Sequence, residues 1–353
     1  MSRQLPDWIA IALALVAVAG FAPQLMSQEP SPPGTLVSLD PRFDALVPKT
    51  AKLEKLADGF SWVEGPVWDQ KAGAILFSDI PNNVVHRWKE GEGLSEFLRP
   101  AGYTGSAPFT GREPGSNGLA WDAERRLVLC QHGDRRISRL DAPGRFTTLV
   151  DRYEGKRLNS PNDLVFKSNG DLYLTDPPYG LPGTFTDPGR ELDFTGVYRL
   201  AGNGTLTLLT KELKAPNGIA FSPDEKTLYV AQSFADEPVI MAYPLKGDGT
   251  TDAGKVLINV KSGMRPDKPG GLDGLKVDVQ GNLFATGPGG VWVITPDGEA
   301  HQPTLSTSVV DTTGCGDAFQ GAFTVAYFSG ASAREALTVG ARAAAEAASR
   351  LGA

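Results

Sequence analysis

The chain has 353 residues, 41% hydrophobic and 21% charged, so a sizeable core can form and disorder is not the default. A formal net charge of −7 argues against nucleic acid or an anionic membrane surface as the partner. Two cysteines, Cys130 and Cys315, make neither a disulfide framework nor a zinc pattern.

Residues 1–22 carry Arg3 and then an apolar run from Trp8 to Ala22. The run is short for a bilayer span and suits the hydrophobic part of a secretory signal, with Ala17-Val18-Ala19 as a cleavage pattern. An uncleaved membrane anchor is the alternative. Either predicts a folded part in an extracytoplasmic space, periplasmic or secreted. Residues 23–50, with Pro30, Pro32 and Pro33, read as a linker. Leu53 to Phe60 is expected to add an outer strand where the chain ends meet.

Five hairpins follow, each written the same way. Glu64-Gly65-Pro66-Val67-Trp68 leads to Ile75–Asp79, and Asn117-Gly118-Leu119-Ala120-Trp121 leads to Leu127–Gln131. Asn162-Asp163-Leu164-Val165-Phe166 leads to Leu172–Asp176, Asn217-Gly218-Ile219-Ala220-Phe221 to Leu228–Gln232, and Asp273-Gly274-Leu275-Lys276-Val277 to Leu283–Gly287. The closing residue stands 14 or 15 positions after the opening one, and successive openings are 45 to 56 apart. A repeat of roughly 40–50 residues holding several strands is the mark of a propeller. The expectation is an all-β chain, a six-bladed-type β-propeller with five legible blades over residues 51–300. Long loops at Pro100–Gly115 and Asp176–Asp193 are placed to roof a site or to run as surface excursions.

After residue 300 the β text stops. Asp311-Thr312-Thr313-Gly314-Cys315-Gly316-Asp317 opens alanine-rich text with helical spacing, so 301–353 is expected to be a helical tail in place of the last blade.

The innermost strand of each blade lines the central channel. A polar residue at the mouth of each inner strand therefore converges on the axis: Glu64, Asn117, Asn162, Asn217 and Asp273. Alone, each is a common turn residue. Together they are two carboxylates and three amides, all oxygen donors. Such a set suits Ca²⁺ first, with Mg²⁺ or Mn²⁺ as alternatives and Zn²⁺ less natural without His or Cys.

These segments, with Cys130-Gln131-His132-Gly133-Asp134, Thr175-Asp176-Pro177-Pro178-Tyr179-Gly180 and Gly270-Gly271-Leu272-Asp273-Gly274, resemble the SMP-30/gluconolactonase/LRE-like family, most closely its bacterial gluconolactonase branch. The resemblance spans about residues 55–298. It implies a six-bladed propeller with one central divalent cation that hydrolyses sugar lactones or related esters. It also implies Glu64, Asn217 and Asp273 as metal ligands, with Asn162 a ligand or substrate contact. Metal-assisted hydrolysis would use the cation to polarise the lactone carbonyl and a carboxylate to take a proton from water. Asp273 is the expected base, and His132, next to Gln131, is a second candidate. Asn117, Asn162, Asp176 and Tyr179 are expected to contact substrate. His86 and His301 join no constellation.

The tail resembles the C-terminal signature of ribokinase-like (PfkB-type) sugar kinases. In that family Gly314-Cys315-Gly316 would bind an anion at a helix start and Asp317 would activate a sugar hydroxyl. The α/β body such a kinase needs is not written in the chain. Two other readings stand beside the lactonase: a non-catalytic propeller that binds or scaffolds, and a defective fusion product.

Overall fold

The computed structural model describes residues 44, 46, 47, 50, 51, 55–264, 266, 268, 270–298, 300 and 301. The expected signal or anchor (1–22), most of the linker and the kinase-like tail from residue 302 lie outside them.

Five four-stranded antiparallel sheets form the blades. Blade 1 holds β1 (Val63–Asp69), β2 (Ala74–Asp79), β3 (Val84–Lys89) and β4 (Gly93–Leu98). Blade 2 holds β5 (Ser116–Trp121), β6 (Leu127–Gln131), β7 (Arg136–Ala142) and β8 (Arg145–Val150), followed by a small hairpin of β9 (Arg152–Tyr153) and β10 (Lys156–Arg157). Blade 3 holds β11 (Leu164–Phe166), β12 (Leu172–Asp176), β13 (Gly196–Leu200) and β14 (Leu206–Thr210). Blade 4 holds β15 (Pro216–Phe221), β16 (Thr227–Gln232), β17 (Val239–Pro244) and β18 (Lys255–Asn259). Blade 5 holds β19 (Leu275–Val277), β20 (Leu283–Gly287), β21 (Gly290–Ile294) and β22 (Ala300–His301).

The inner strands touch in chain order, β1 to β5, β5 to β11, β11 to β15 and β15 to β19. Among the described residues no sheet joins blade 5 to blade 1. The outer strand expected over Leu53–Phe60 is not formed within its described part, since residues 55–60 are irregular. Their end is instead tied to blade 1 by side chains: the backbone N–H groups of Ser61 and Trp62 donate to the Asp79 carboxylate.

The second strands of blades 2, 3 and 4 have a blade on either side, so their apolar residues run consecutively rather than alternating with polar ones. β6, β12 and β20 are buried at every position. Outer strands β4 and β18 are mostly open to solvent. In these middle blades side-chain alternation then divides the second strand between two interblade cores. Leu172 and Leu174 pack with Val128, Ile137 and Leu164 toward blade 2. Tyr173, between them, packs with Ile219, Phe221 and Val230 toward blade 4. Each such side chain contributes roughly 1.5–3 kcal/mol by leaving water. Cys130, a free thiol, belongs to the blade 2–blade 3 core.

Candidate active site

Glu64, Asn117 and Asn217 owe their position to the glycine that follows each of them. In β1, β5 and β15 the pairing register shifts at this point, a bulge between Glu64 and Val67, Ser116 and Leu119, and Pro216 and Ile219. Bulges re-aim the neighbouring side chain. The glycines also let one inner strand meet the next. A Cβ on Gly65 would lie 1.9 Å from the Asn117 carbonyl oxygen, one on Gly118 2.7 Å from that of Asn162, and one on Gly218 2.5 Å from that of Asp273. Gly118 N–H donates to Asn162 O at 2.8 Å and Gly218 N–H to Asp273 O at 3.1 Å. The polar-glycine pairs that resemble turn dipeptides are thus the stitches between blades.

These stitches bring the opening residues together. Asn117, Asn162 and Asn217 line one small cavity, with Gly65 and Gly274, the neighbours of Glu64 and Asp273, in the same wall. Among the described residues the side-chain amides of Asn162 and Asn217 have no hydrogen-bond partner in the protein, although the residues are only 3% and 5% exposed. Glu64 is buried, and Trp62 Nε1 donates to its Oε1 at 2.5 Å. Burial and then the charge of Asp273 push the Glu64 carboxyl well above the usual range. Glu113 adds to that push, while hydrogen bonds from Trp62 and Asn117 oppose it. Tyr179 belongs to the same group: burial and the Asp273 charge raise its phenol, with Glu64 and Glu113 contributing and a hydrogen bond to Ser233 opposing. Ser233 Oγ donates in turn to the Leu272 carbonyl oxygen at 2.6 Å, beside Asp273.

The donor set fits a divalent cation. The charges of Asp273 and Glu113 reach the buried Glu64 carboxyl, and the groups that oppose its rise, Trp62 and Asn117, are neutral donors. A buried carboxylate surrounded by neutral donors, as Glu64 is, is costly as an ion. A hard cation with oxygen ligands answers both that charge and the open amides of Asn162 and Asn217.

Two expected site residues are placed differently. Asp176, expected to contact substrate, is fully buried at the end of β12. Its Oδ2 accepts from Asn159 N at 2.8 Å and from Asn159 Nδ2 at 3.2 Å, and burial pushes its pKa to about 7. The same job recurs at the other closing residues. Gln131 Nε2 donates to Ala101 O at 2.8 Å, and Gln232 Oε1 accepts from Lys214 N at 2.6 Å. Each closing side chain ties down the segment that leads into its own blade. His132 is also fully buried, so it does not meet solvent in the cavity; its Nδ1 lies 2.8 Å from Glu113 Oε2.

Glu113, Trp62, Ser233 and the lining residues Asp163 and Lys276 were not singled out by sequence reasoning. Ser233 had a signal: it follows Gln232 as His132 follows Gln131, one step past the closing phase. Glu113 sits in a loop outside the repeat and had none.

The SMP-30/Gluconolactonase/LRE-like region family matches residues 62–315, and the pfkB family carbohydrate kinase matches residues 280–353. The second match begins inside blade 5 and otherwise lies mostly beyond the described residues. A gluconolactonase of Zymomonas mobilis is 40% identical over 75% of this chain and 76% of its own length. The solved structure of a gluconolactonase from Xanthomonas campestris, 35% identical, covers 77% of this chain and 86% of that one with a TM-score of 0.64. Pentonolactonase XacC of Haloferax volcanii is 25% identical over 68% of this chain and 71% of its own. The propeller, its convergent oxygen donors and a match across most of the chain together show that this protein belongs to the SMP-30/gluconolactonase/LRE-like family.

Proposed function

We propose that the protein hydrolyses a sugar lactone, with one divalent cation, Ca²⁺ by preference, held by Glu64, Asn162, Asn217 and Asp273. The observation that carries this reading is the buried Glu64 carboxyl, held by Trp62, raised by burial and the charges of Asp273 and Glu113, and followed by Gly65 in the wall where three asparagines meet. A bound cation would supply Lewis acidity toward the lactone carbonyl oxygen. The chain's own groups do the rest. Asp273 is assigned the proton of the attacking water. Trp62 holds one Glu64 oxygen and so fixes the direction of the other. Tyr179, braced by Ser233, offers a phenol to the substrate side.

The apolar run ahead of the propeller supports export, so the reaction is assigned to the periplasm or the medium. Recovery of the intact chain from the cytoplasm after fractionation would count against that assignment.

Hydrolysis of glucono-1,5-lactone by the parent chain and by Asp273→Asn tests the chemistry. Removal of a positioned base costs about 10²–10⁴-fold in kcat, with the thermal transition retained. An unimpaired variant refutes the assignment of Asp273, and an inactive parent that binds no divalent cation favours a binding module instead.

A further inference from the structure

The loop from residue 100 to 115 is clamped at both ends. Asn83 Oδ1 accepts from Ala101 N and Gly102 N at 3.0 and 2.7 Å, and Tyr103 N donates to Pro114 O at 2.5 Å. Gly115 N donates to Ile80 O at 2.9 Å, and His132 N to Gly115 O at 3.1 Å. This is a built loop rather than a solvated excursion, and it carries one acid toward the site, Glu113. The Glu113 side chain is 16% exposed, while His132 behind it is sealed. His132 Nδ1 meets Glu113 Oε2 at 2.8 Å, and among the described residues buried Nε2 has no partner. The imidazole therefore has no second group to pass a proton to, and it acts on the site through Glu113.

The opposite wall closes on the same ring. A Cβ on Gly180 would lie 2.6 Å from His132 Cβ and 2.9 Å from Ser160 Cβ, so only glycine lets the Tyr179–Gly180 turn rest there. Glu113 and Tyr179 thus stand near one another above the opening ring, and the Glu113 charge is felt by both Tyr179 and Glu64. With Oε2 committed to His132, Oε1 is left as an acceptor.

We propose that Glu113, oriented by His132, is a specificity-determining residue that accepts a hydrogen bond from a ring hydroxyl of the substrate and so selects hydroxylated lactones over unsubstituted ones. This rests on the lactone reading above. Asn117, Asn162 and Asn217 form an inner tier at the cavity, and Glu113 with Tyr179 forms an outer tier that reads the sugar. His132 is a positioning residue, with no contact of its own to the substrate. A site built to bond a hydroxyl discriminates against analogues lacking it because its buried acceptor is left unpaired.

The test is the ratio of kcat/KM for glucono-1,5-lactone to that for δ-valerolactone, which has the same ring and no hydroxyl. A ratio taken on one preparation does not depend on the folded fraction, so partial misfolding leaves it unmoved. In Glu113→Gln the ratio should fall about 10- to 100-fold. His132→Ala should lower it in the same direction by less, and His132→Asn, which keeps a donor near the Nδ1 position, should restore part of it. An unchanged ratio in Glu113→Gln overturns the proposal. A lower ratio in Glu113→Gln with none in His132→Ala overturns the positioning role. A parent chain that hydrolyses neither lactone sinks the lactonase reading, and selection is then read from binding. Calorimetry of gluconate against 5-hydroxypentanoate, two anions of equal charge, should show the same loss of preference in Glu113→Gln. An equal preference in parent and variant overturns it.

Discussion

The hairpins end in two sets of polar residues that look alike in the sequence and serve different ends. Of the opening set, Asn117, Asn162 and Asn217 line the central cavity, with the glycines after Glu64 and Asp273 in its wall, and among the described residues the amides of Asn162 and Asn217 find no partner. The closing side chains Asp79, Gln131, Asp176 and Gln232 are equally buried, but each is bonded to a nearby segment of backbone. Burial therefore does not separate a functional polar residue from a structural one. What distinguishes the closing side chains is that each is bonded to the backbone leading into its own blade, whereas the amides of Asn162 and Asn217 face the cavity.

The largest effect that would break this division is at the stitch between blades. Gly65 has φ +59° and its Cβ would strike the Asn117 backbone, whereas Gly73 has φ +63° with nothing within 4 Å. Gly73→Ala should cost about 1–2 kcal/mol, the left-handed backbone penalty alone. Gly65→Ala carries that penalty plus the overlap, so at least about 3 kcal/mol is expected. Urea unfolding of both variants checks it, and equal losses would mean that the close approach does not hold the ring.

A smaller effect sharpens the closing set. Asp176 has a folded pKa of about 7 because it is buried, with Asn159 and Arg135 pulling the other way. An unfolded Asp titrates near 3.9, so between roughly pH 4 and 7 the folded chain holds the proton more tightly than the unfolded one. Stability should therefore fall as pH rises through that window, by a total on the order of 3–4 kcal/mol. Asp176→Asn keeps an oxygen for Asn159 and cannot ionise, so its unfolding midpoint should lose this part of the slope. Urea midpoints at pH 5 and pH 8 measure the difference, and identical slopes in parent and variant would remove Asp176 as the source.

The blades were legible because two apolar runs and two polar residues recur at one phase, and nothing but a repeated hairpin explains the spacing. The convergence of Glu64, Asn117, Asn162, Asn217 and Asp273 followed from where an inner strand must begin. The role of the glycines did not follow, since Asn-Gly reads as a turn until the neighbouring blade is present to crowd it. Asp176 reads as a substrate contact in the sequence because its partner, Asn159, lies 17 residues upstream with no mark of the pairing. Glu113 was illegible for a related reason: it lies outside the repeat, and its neighbour His132 is brought to it only by the clamped loop.

The claim on which the account turns is that the opening set holds a divalent cation needed for lactone hydrolysis. Turnover of glucono-1,5-lactone should be followed on protein dialysed against a chelator and again after Ca²⁺ is restored. The account predicts a loss of at least about 10²-fold on dialysis, the scale of removing one electrostatic stabiliser of an oxyanion, and recovery on addition of the ion. Full activity in the chelated protein would contradict it.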